Sequence, residues 1–120
     1  MTVLGTEYTT NKHLYAIFRN SSGLIWNGSS LVTMVVANWA TYAVDLDEEP
    51  GSGNWYQVVV PILPDGVYDG SYIFERVTGT PLTTDPPIGS IDHLEIKNGS
   101  ELTLSTIPAR VWPVRFVKKS

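Results

Sequence analysis

Residues 53–68 have the sequence GNWYQVVVPILPDGVY, which combines an apolar run with two prolines and a turn. Two aromatic residues and three valines occupy 55–60, and these residue types are enriched in β-strands. Asp65 and Gly66 follow as a turn pair, because glycine adopts φ values that other residues avoid. The segment therefore predicts a hairpin, in which the strand from Trp55 to Pro61 is followed by a tight turn and by a partner strand from Val67 to Val77.

Short apolar runs separated by turns continue through the rest of the chain. His13–Arg19 is a clear strand candidate, and Asn27-Gly28 and Asn98-Gly99 are two-residue hairpin signals. Turn signals recur about every 8–12 residues, as in sandwiches and barrels. We predict an all-β, single-domain antiparallel β-sandwich of the Ig-like type, although a barrel shares the same signals.

The predicted sandwich domain covers 12–117, between a flexible N-terminal arm or frayed first strand at 1–11 and a C-terminal tail at 118–120. One short helical turn is predicted near 38–42, with Asn38 at its N-cap. Residues 47–53 are predicted to form a loop. The proline-rich residues 80–87 are predicted to form a long connection that crosses between sheets.

Composition excludes several classes of protein. The chain has 120 residues, 42% of them hydrophobic, which suits one globular domain and argues against disorder. It has no cysteine, so disulfides and thiolate zinc sites are excluded. A net charge of −4 argues against nucleic-acid binding. Residues 1–7 lack the features of a signal peptide, and no apolar run is long enough for membrane insertion, so we expect cytoplasmic synthesis.

Catalytic motifs are missing from the sequence. His13 and His93 are the only histidines, and adjacent Asp92 and His93 would point to opposite faces of a strand. The chain has no nucleophile elbow, phosphate-binding glycine loop or His-Glu-x-x-His motif. We predict a protein that is not an enzyme and takes no cofactor. Tertiary convergence of distant carboxylates remains an alternative.

Charged residues are segregated along the chain. Four of the twelve acidic residues are Asp45, Asp47, Glu48 and Glu49. Four of the eight basic residues are Arg110, Arg115, Lys118 and Lys119. The acidic cluster is either a solvated segment or a calcium ligand set, and we predict no metal site because it lacks EF-hand spacing. The two groups would pair head to tail between copies, or remain independently solvated.

The four tryptophans bear on binding. Trp26, Trp39 and Trp55 alternate with apolar residues and are predicted to pack in the core. Trp112 precedes a proline that cannot donate to a ladder, so it is the candidate exposed aromatic on an edge strand or bulge. Exposed tryptophan favours a glycan platform or a protein interface. Asn20, Asn27 and Asn98 match the glycosylation sequon, but each occupies a predicted turn.

A spaced set of turn and framework residues resembles small uncharacterised Ig-like β-sandwich proteins encoded among the structural genes of tailed phages and phage-like elements. The similar positions are Tyr15, Phe18-Arg19-Asn20, Trp26-Asn27-Gly28, Asn38-Trp39, Tyr42, Gly53, Tyr56, Pro64, Gly66, Tyr68, Asp85, Pro87 and Gly89. The resemblance implies a virion component such as a capsid decoration, tail or fibre protein. It transfers no catalytic residue.

These observations predict a non-catalytic structural or interaction protein. It would act by self-association as a homo-oligomer or by docking on a protein partner, located in the virion if it is phage-encoded. A carbohydrate-binding or cell-surface adhesion module is the alternative, with a glycan as the partner. The candidate interaction residues are Trp112 and the eight charged residues of the acidic and basic groups.

Overall fold

The computed structural model describes residues 2–48, 54–97, 100–107 and 114–118, and these residues form an all-β protein. Its strands are β1 (Thr2–Glu7), β2 (His13–Ile17), β3 (Ile25–Trp26), β4 (Leu31–Val32), β5 (Val44–Glu48), β6 (Trp55–Val59), β7 (Gly66–Val67), β8 (Tyr72–Arg76), β9 (Pro87–Lys97), β10 (Ser100–Ile107) and β11 (Val114–Lys118). A 3₁₀ turn (Val36–Asn38) leads into one helical turn, α1 (Trp39–Tyr42). The all-β class and the helical turn are confirmed. Asn38 stands at the N-cap but makes no side-chain capping hydrogen bond.

The larger sheet is antiparallel and has the order β10-β9-β8-β2-β5-β6-β1-β11, with β7 also paired to β9. The first half of β5 pairs with β2 and its second half with β6, so β5 joins the two halves of the sheet. The end strands β10 and β11 approach each other, which means that the sheet is curled. Strands β3 and β4 form a separate hairpin.

The central strand β2 is buried on both faces. Leu14 and Ala16 point into the main core. Tyr15 and Ile17 point the other way, into a second core beneath the β3–β4 hairpin and α1. A strand covered on both sides is continuously apolar instead of alternating, which is why residues 14–18 have the sequence LYAIF.

The predicted hairpin at Asp65-Gly66 is wrong. Strand β6 pairs with β1 and β5, whereas β7, which follows the turn, pairs with β9. Proline at 61 and 64 removes two backbone donors between the strands. Val60 and Leu63 are buried. The segment therefore crosses to another part of the sheet while contributing to the core.

Three further predictions are corrected. Residues 80–87 do not cross between sheets, because β8 and β9 on either side of them are neighbours in one sheet. Residues 2–7 form a strand with two partners, β6 and β11, and do not hang free as an arm. Leu4 is fully buried there, which anchors the segment. Asp47 and Glu48 belong to β5 and not to a loop.

Candidate functional site

The acidic strip consists of Asp45, Asp47 and Glu48 on β5. Asp45 and Asp47 are exposed, while Leu46 between them is buried in the main core. This alternation follows from the two-residue period of a strand, which puts every second side chain on the same face. Two carboxylates therefore point to solvent side by side on the outer face of β5.

A cleft of about 360 Å³ lies at the end of this strip. It is lined by the turn before β2, by the first residue of β2 and by residues of β5, namely Asn11, Lys12, His13, Leu46, Asp47 and Glu48. The Asn11 N–H donates to Glu48 Oε1 at 3.2 Å, and Asn11 has a φ of 62°. The cleft is thus a polar corner whose lining includes Lys12, His13, Asp47 and Glu48.

Tyr56 holds the turn that forms one wall of the cleft. Its hydroxyl donates to the Thr9 carbonyl at 2.7 Å and accepts from the Lys12 N–H at 3.0 Å. Burial, together with the charges of Glu48 and Glu75, raises the pKa of the Tyr56 hydroxyl. The hydroxyl therefore keeps its proton and both bonds at neutral pH.

The basic C-terminal strand lies in the same sheet but at a distance from the acidic strip. In the ladder, Asp47 is opposite Gln57, Gln57 is opposite Gly5, and Gly5 is opposite Arg115. Strands are about 4.8 Å apart, so the backbones of β5 and β11 are separated by about 14 Å. Lys118 occupies the last position of β11, opposite Thr2. Neither basic position is therefore a strand neighbour of the acidic strip.

The remaining predicted interaction residues cannot be placed. Glu49, Arg110, Trp112 and Lys119 lie outside the described residues. The side chains of Arg115 and Lys118 also lie outside them, as do those of Asp92 and His93. The turn predicted at Asn98-Gly99 lies outside as well, although Lys97 and Ser100 on either side of it pair in an antiparallel ladder.

A second surface, the aromatic face, is formed by Trp39, Tyr72 and Phe74. Tyr72 and Phe74 project from the side of β8 that faces the second core, with ring centroids 6.0 Å apart and ring planes tilted by 43°. The Trp39 ring meets Phe74 edge-on at 5.6 Å. Tyr72 is 40% exposed. Leu82, in the turn at 82–85, is 42% exposed. Partly exposed aromatic side chains are enriched at binding interfaces, and here Trp39 and Phe74 also pack against the second core.

A buried hydrogen-bond network supports the aromatic face. The Tyr15 hydroxyl donates to Asp85 Oδ2 at 2.6 Å and accepts from Trp39 Nε1 at 3.1 Å. Asp85 Oδ2 also accepts from the Leu82 N–H at 2.8 Å. Phe74 stacks on Tyr15 with centroids 5.5 Å apart. The network joins α1, β2 and the turn at 82–85, so it fixes the position of Trp39.

Sequence reasoning missed the aromatic face for a physical reason. Residues 72–76 have the sequence YIFER, in which both faces of the strand carry apolar groups, so the pattern does not reveal which face is covered. Trp26 packs in the main core as predicted. Trp39 and Trp55 are only half-buried. The one available signal was that Trp39 lies on a helical turn and not in a strand.

The two described sequons are turns. Asn20 Oδ1 accepts hydrogen bonds from the backbone N–H groups of Ser22 and Leu24 at 3.1 and 2.8 Å. Asn27 Oδ1 accepts likewise from Ser29 and Ser30 at 2.9 and 2.8 Å. Asparagine at both positions is explained by the turn it stabilises.

In the ranges that the structure describes, no three His, Cys, Asp or Glu side chains are grouped so that they could hold a metal ion. None of the helices in those ranges has the length and apolar character needed to cross a membrane.

Comparison with known proteins finds no match among family models, curated proteins or solved structures. The geometry of this chain is therefore the basis for the functional proposals that follow.

Proposed function

We propose that this protein is a non-catalytic structural module that associates with further copies of itself, head to tail. The acidic strip of one copy contacts the basic C-terminal strand of the next. The supporting observation is the separation of β5 and β11 by two intervening strands in one sheet. Exposed carboxylates that have no basic strand beside them within the copy are available to a neighbouring one.

The geometry of such a contact determines the kind of assembly. Two different surfaces of the same chain meet, so the contact is heterologous and builds rings or filaments. Tail tubes, fibres and capsid decorations are assemblies of this kind, in agreement with the family resemblance. We further propose that the protein is a virion component. We also propose that its fold is an Ig-like sandwich in which the curled sheet forms both layers.

The test is a double charge reversal, Asp45→Lys with Asp47→Lys, followed by sedimentation velocity over a concentration series. We expect the variant to stay monomeric where the wild type associates. The matched control is Asp65→Lys with Asp69→Lys, which changes the net charge equally at two exposed residues away from the strip. If the variant with both charge reversals associates as strongly as the wild type, the proposal is contradicted.

Glycan binding is the second candidate function, and the aromatic face favours it. Tyr72 and Phe74 form a pair of partly exposed rings on one strand face. This function would use a different surface from the self-association contact.

A further inference from the structure

We infer that the aromatic face, together with Arg76, is a binding site for an acidic sugar, that is, a pyranose ring bearing a carboxylate. The inference deepens the glycan-binding candidate and does not require self-association. It rests on three features of β8 and its surroundings: the two rings, the guanidinium at the end of their row, and the network that holds the surface rigid.

The three side chains share one face because they are spaced two residues apart. Tyr72, Phe74 and Arg76 occupy alternate positions of β8, whereas Ile73 between them is fully buried on the opposite face. Successive outward positions on a strand are about 6.6 Å apart. The row therefore places the exposed Tyr72 ring, the half-buried Phe74 ring and the guanidinium along about 13 Å of one strand face.

Arg76 has an unmet hydrogen-bonding requirement. Its Nε is buried and has no hydrogen-bond partner among the described residues. Guanidinium groups bind carboxylates through paired hydrogen bonds, which are stronger than those between neutral groups. Since Arg76 as a whole is half-buried, part of the side chain remains accessible from solvent. A ligand carboxylate would pair with the part of the guanidinium that solvent reaches, and not with the buried Nε itself.

The charged side chains around Arg76 decide whether an anion can bind there. His13 lies opposite Arg76 in the ladder. The carboxylate of Asp85 is buried and already accepts hydrogen bonds from Tyr15 and Leu82. Glu75 accepts a hydrogen bond from the Tyr8 hydroxyl. The acidic strip is on β5, two strands from β8, so its backbone is about 10 Å away, which is about one screening length at 0.1 M salt. The effect of its charge at Arg76 is therefore reduced but not removed.

The backbone of β8 argues against an extended peptide as the ligand. β8 pairs with β2 on one side and with β9 on the other, so along these pairings it has no free edge to which a peptide could add as a strand. Recognition must then come from side chains alone. The faces of aromatic rings carry partial negative charge and attract the C–H groups on the flat side of a pyranose.

The surface is also held in place before a ligand arrives. Trp39 and Phe74 both rest on Tyr15, which is fixed by its hydrogen bond to Asp85. A site whose aromatic groups are already ordered loses less entropy on binding. This makes the aromatic face better suited to a small rigid ligand than a mobile loop would be.

The experiment is a titration of the full chain, followed by calorimetry, with two acidic probes and their neutral counterparts. The probes are trigalacturonic acid with its methyl ester, and 3′-sialyllactose with lactose. We expect at least one acid to bind about tenfold more tightly than its neutral counterpart. Tyr72→Ala should weaken this binding about tenfold, and Arg76→Gln should remove the preference for the acid while Arg76→Lys retains part of it.

Ile62→Ala is the control, because Ile62 is 86% exposed on the connection between β6 and β7. It should bind as the wild type does. Circular dichroism establishes that each variant is folded. The inference is overturned if neither acid binds more tightly than its neutral counterpart, or if Tyr72→Ala and Arg76→Gln bind as the wild type does. Preference for the neutral sugars would overturn the role of Arg76 specifically.

Discussion

Tyr15 carries more hydrogen bonds than its position in an apolar strand suggests. It is fully buried, yet its hydroxyl donates to Asp85 and accepts from Trp39. Removing the hydroxyl leaves a buried carboxylate without one of its donors. We expect Tyr15→Phe to lower the free energy of unfolding at pH 7 by about 1–3 kcal/mol, measured by urea denaturation.

The same residue makes a prediction about alkaline pH. Burial and the hydrogen bond to Asp85 raise the pKa of Tyr15 well above its ordinary value of 10.0. A raised pKa stabilises the folded state at pH values below 10, and this contribution is lost as the pH rises above 10. The stability difference between the wild type and Tyr15→Phe should therefore narrow between pH 9 and pH 11. A stability difference between the two proteins that stays constant across that range would contradict the raised pKa of Tyr15.

Gly5 is required by its contact with Trp55. A Cβ at this position would overlap the indole ring of Trp55, which lies against the strand. We expect Gly5→Ala to destabilise the protein by about 1–3 kcal/mol through overpacking. Gly79→Ala is the control, because an added Cβ there meets nothing within 4 Å. Equal melting temperatures for the two variants would refute the prediction.

At the scale of elements, β2 is the strand on which both cores are built. Ile17 belongs to the second core, which is covered by the β3–β4 hairpin and α1. If that core contributes to the stability of the fold, Ile17→Ala should cost about 2–4 kcal/mol. Val59→Ala, on the half-exposed end of β6, should cost under about 1 kcal/mol. Denaturant midpoints of the two variants measure the difference.

Local signals predicted the elements better than their partners. His13–Arg19 predicted a strand because most of it is apolar, and Asn27-Gly28 predicted a hairpin because this residue pair favours tight turns. In the structure Gly28 has a φ of 102° and lies between the paired strands β3 and β4. Pairing depends on contacts between distant residues. Asp65-Gly66 therefore looked like a hairpin turn in the sequence, although residues 60–65 cross from β6 to β7, which have different partners.

The candidate sites show the same division between local and distant information. The acidic residues were visible as a charge cluster, but their alternation along β5 required knowledge that residues 44–48 form a strand. The cleft joins residues 11–13 to residues 46–48, which only the β2–β5 pairing brings together. Likewise, the support of Trp39 by Asp85 links residues far apart in the chain, so no local pattern indicated it.

Across the whole molecule, the acidic and basic groups lie on separate strands of one curled sheet. The acidic strip and the basic strand β11 are separated by β6 and β1, so their attraction is available between copies. Attraction between exposed charges weakens as ionic strength rises, because the screening length falls from about 10 Å at 0.1 M salt to about 3 Å at 1 M. Assembly should therefore depend on salt.

The most direct test is the solution mass of the wild-type protein, measured by light scattering after size exclusion across a range of concentrations at low and high salt. We predict a species larger than the 13.2 kDa chain at low salt, and its dissociation at high salt. A monomer under every condition would contradict self-association through the acidic strip. An oligomer that persists unchanged at high salt would contradict the proposed charge contact.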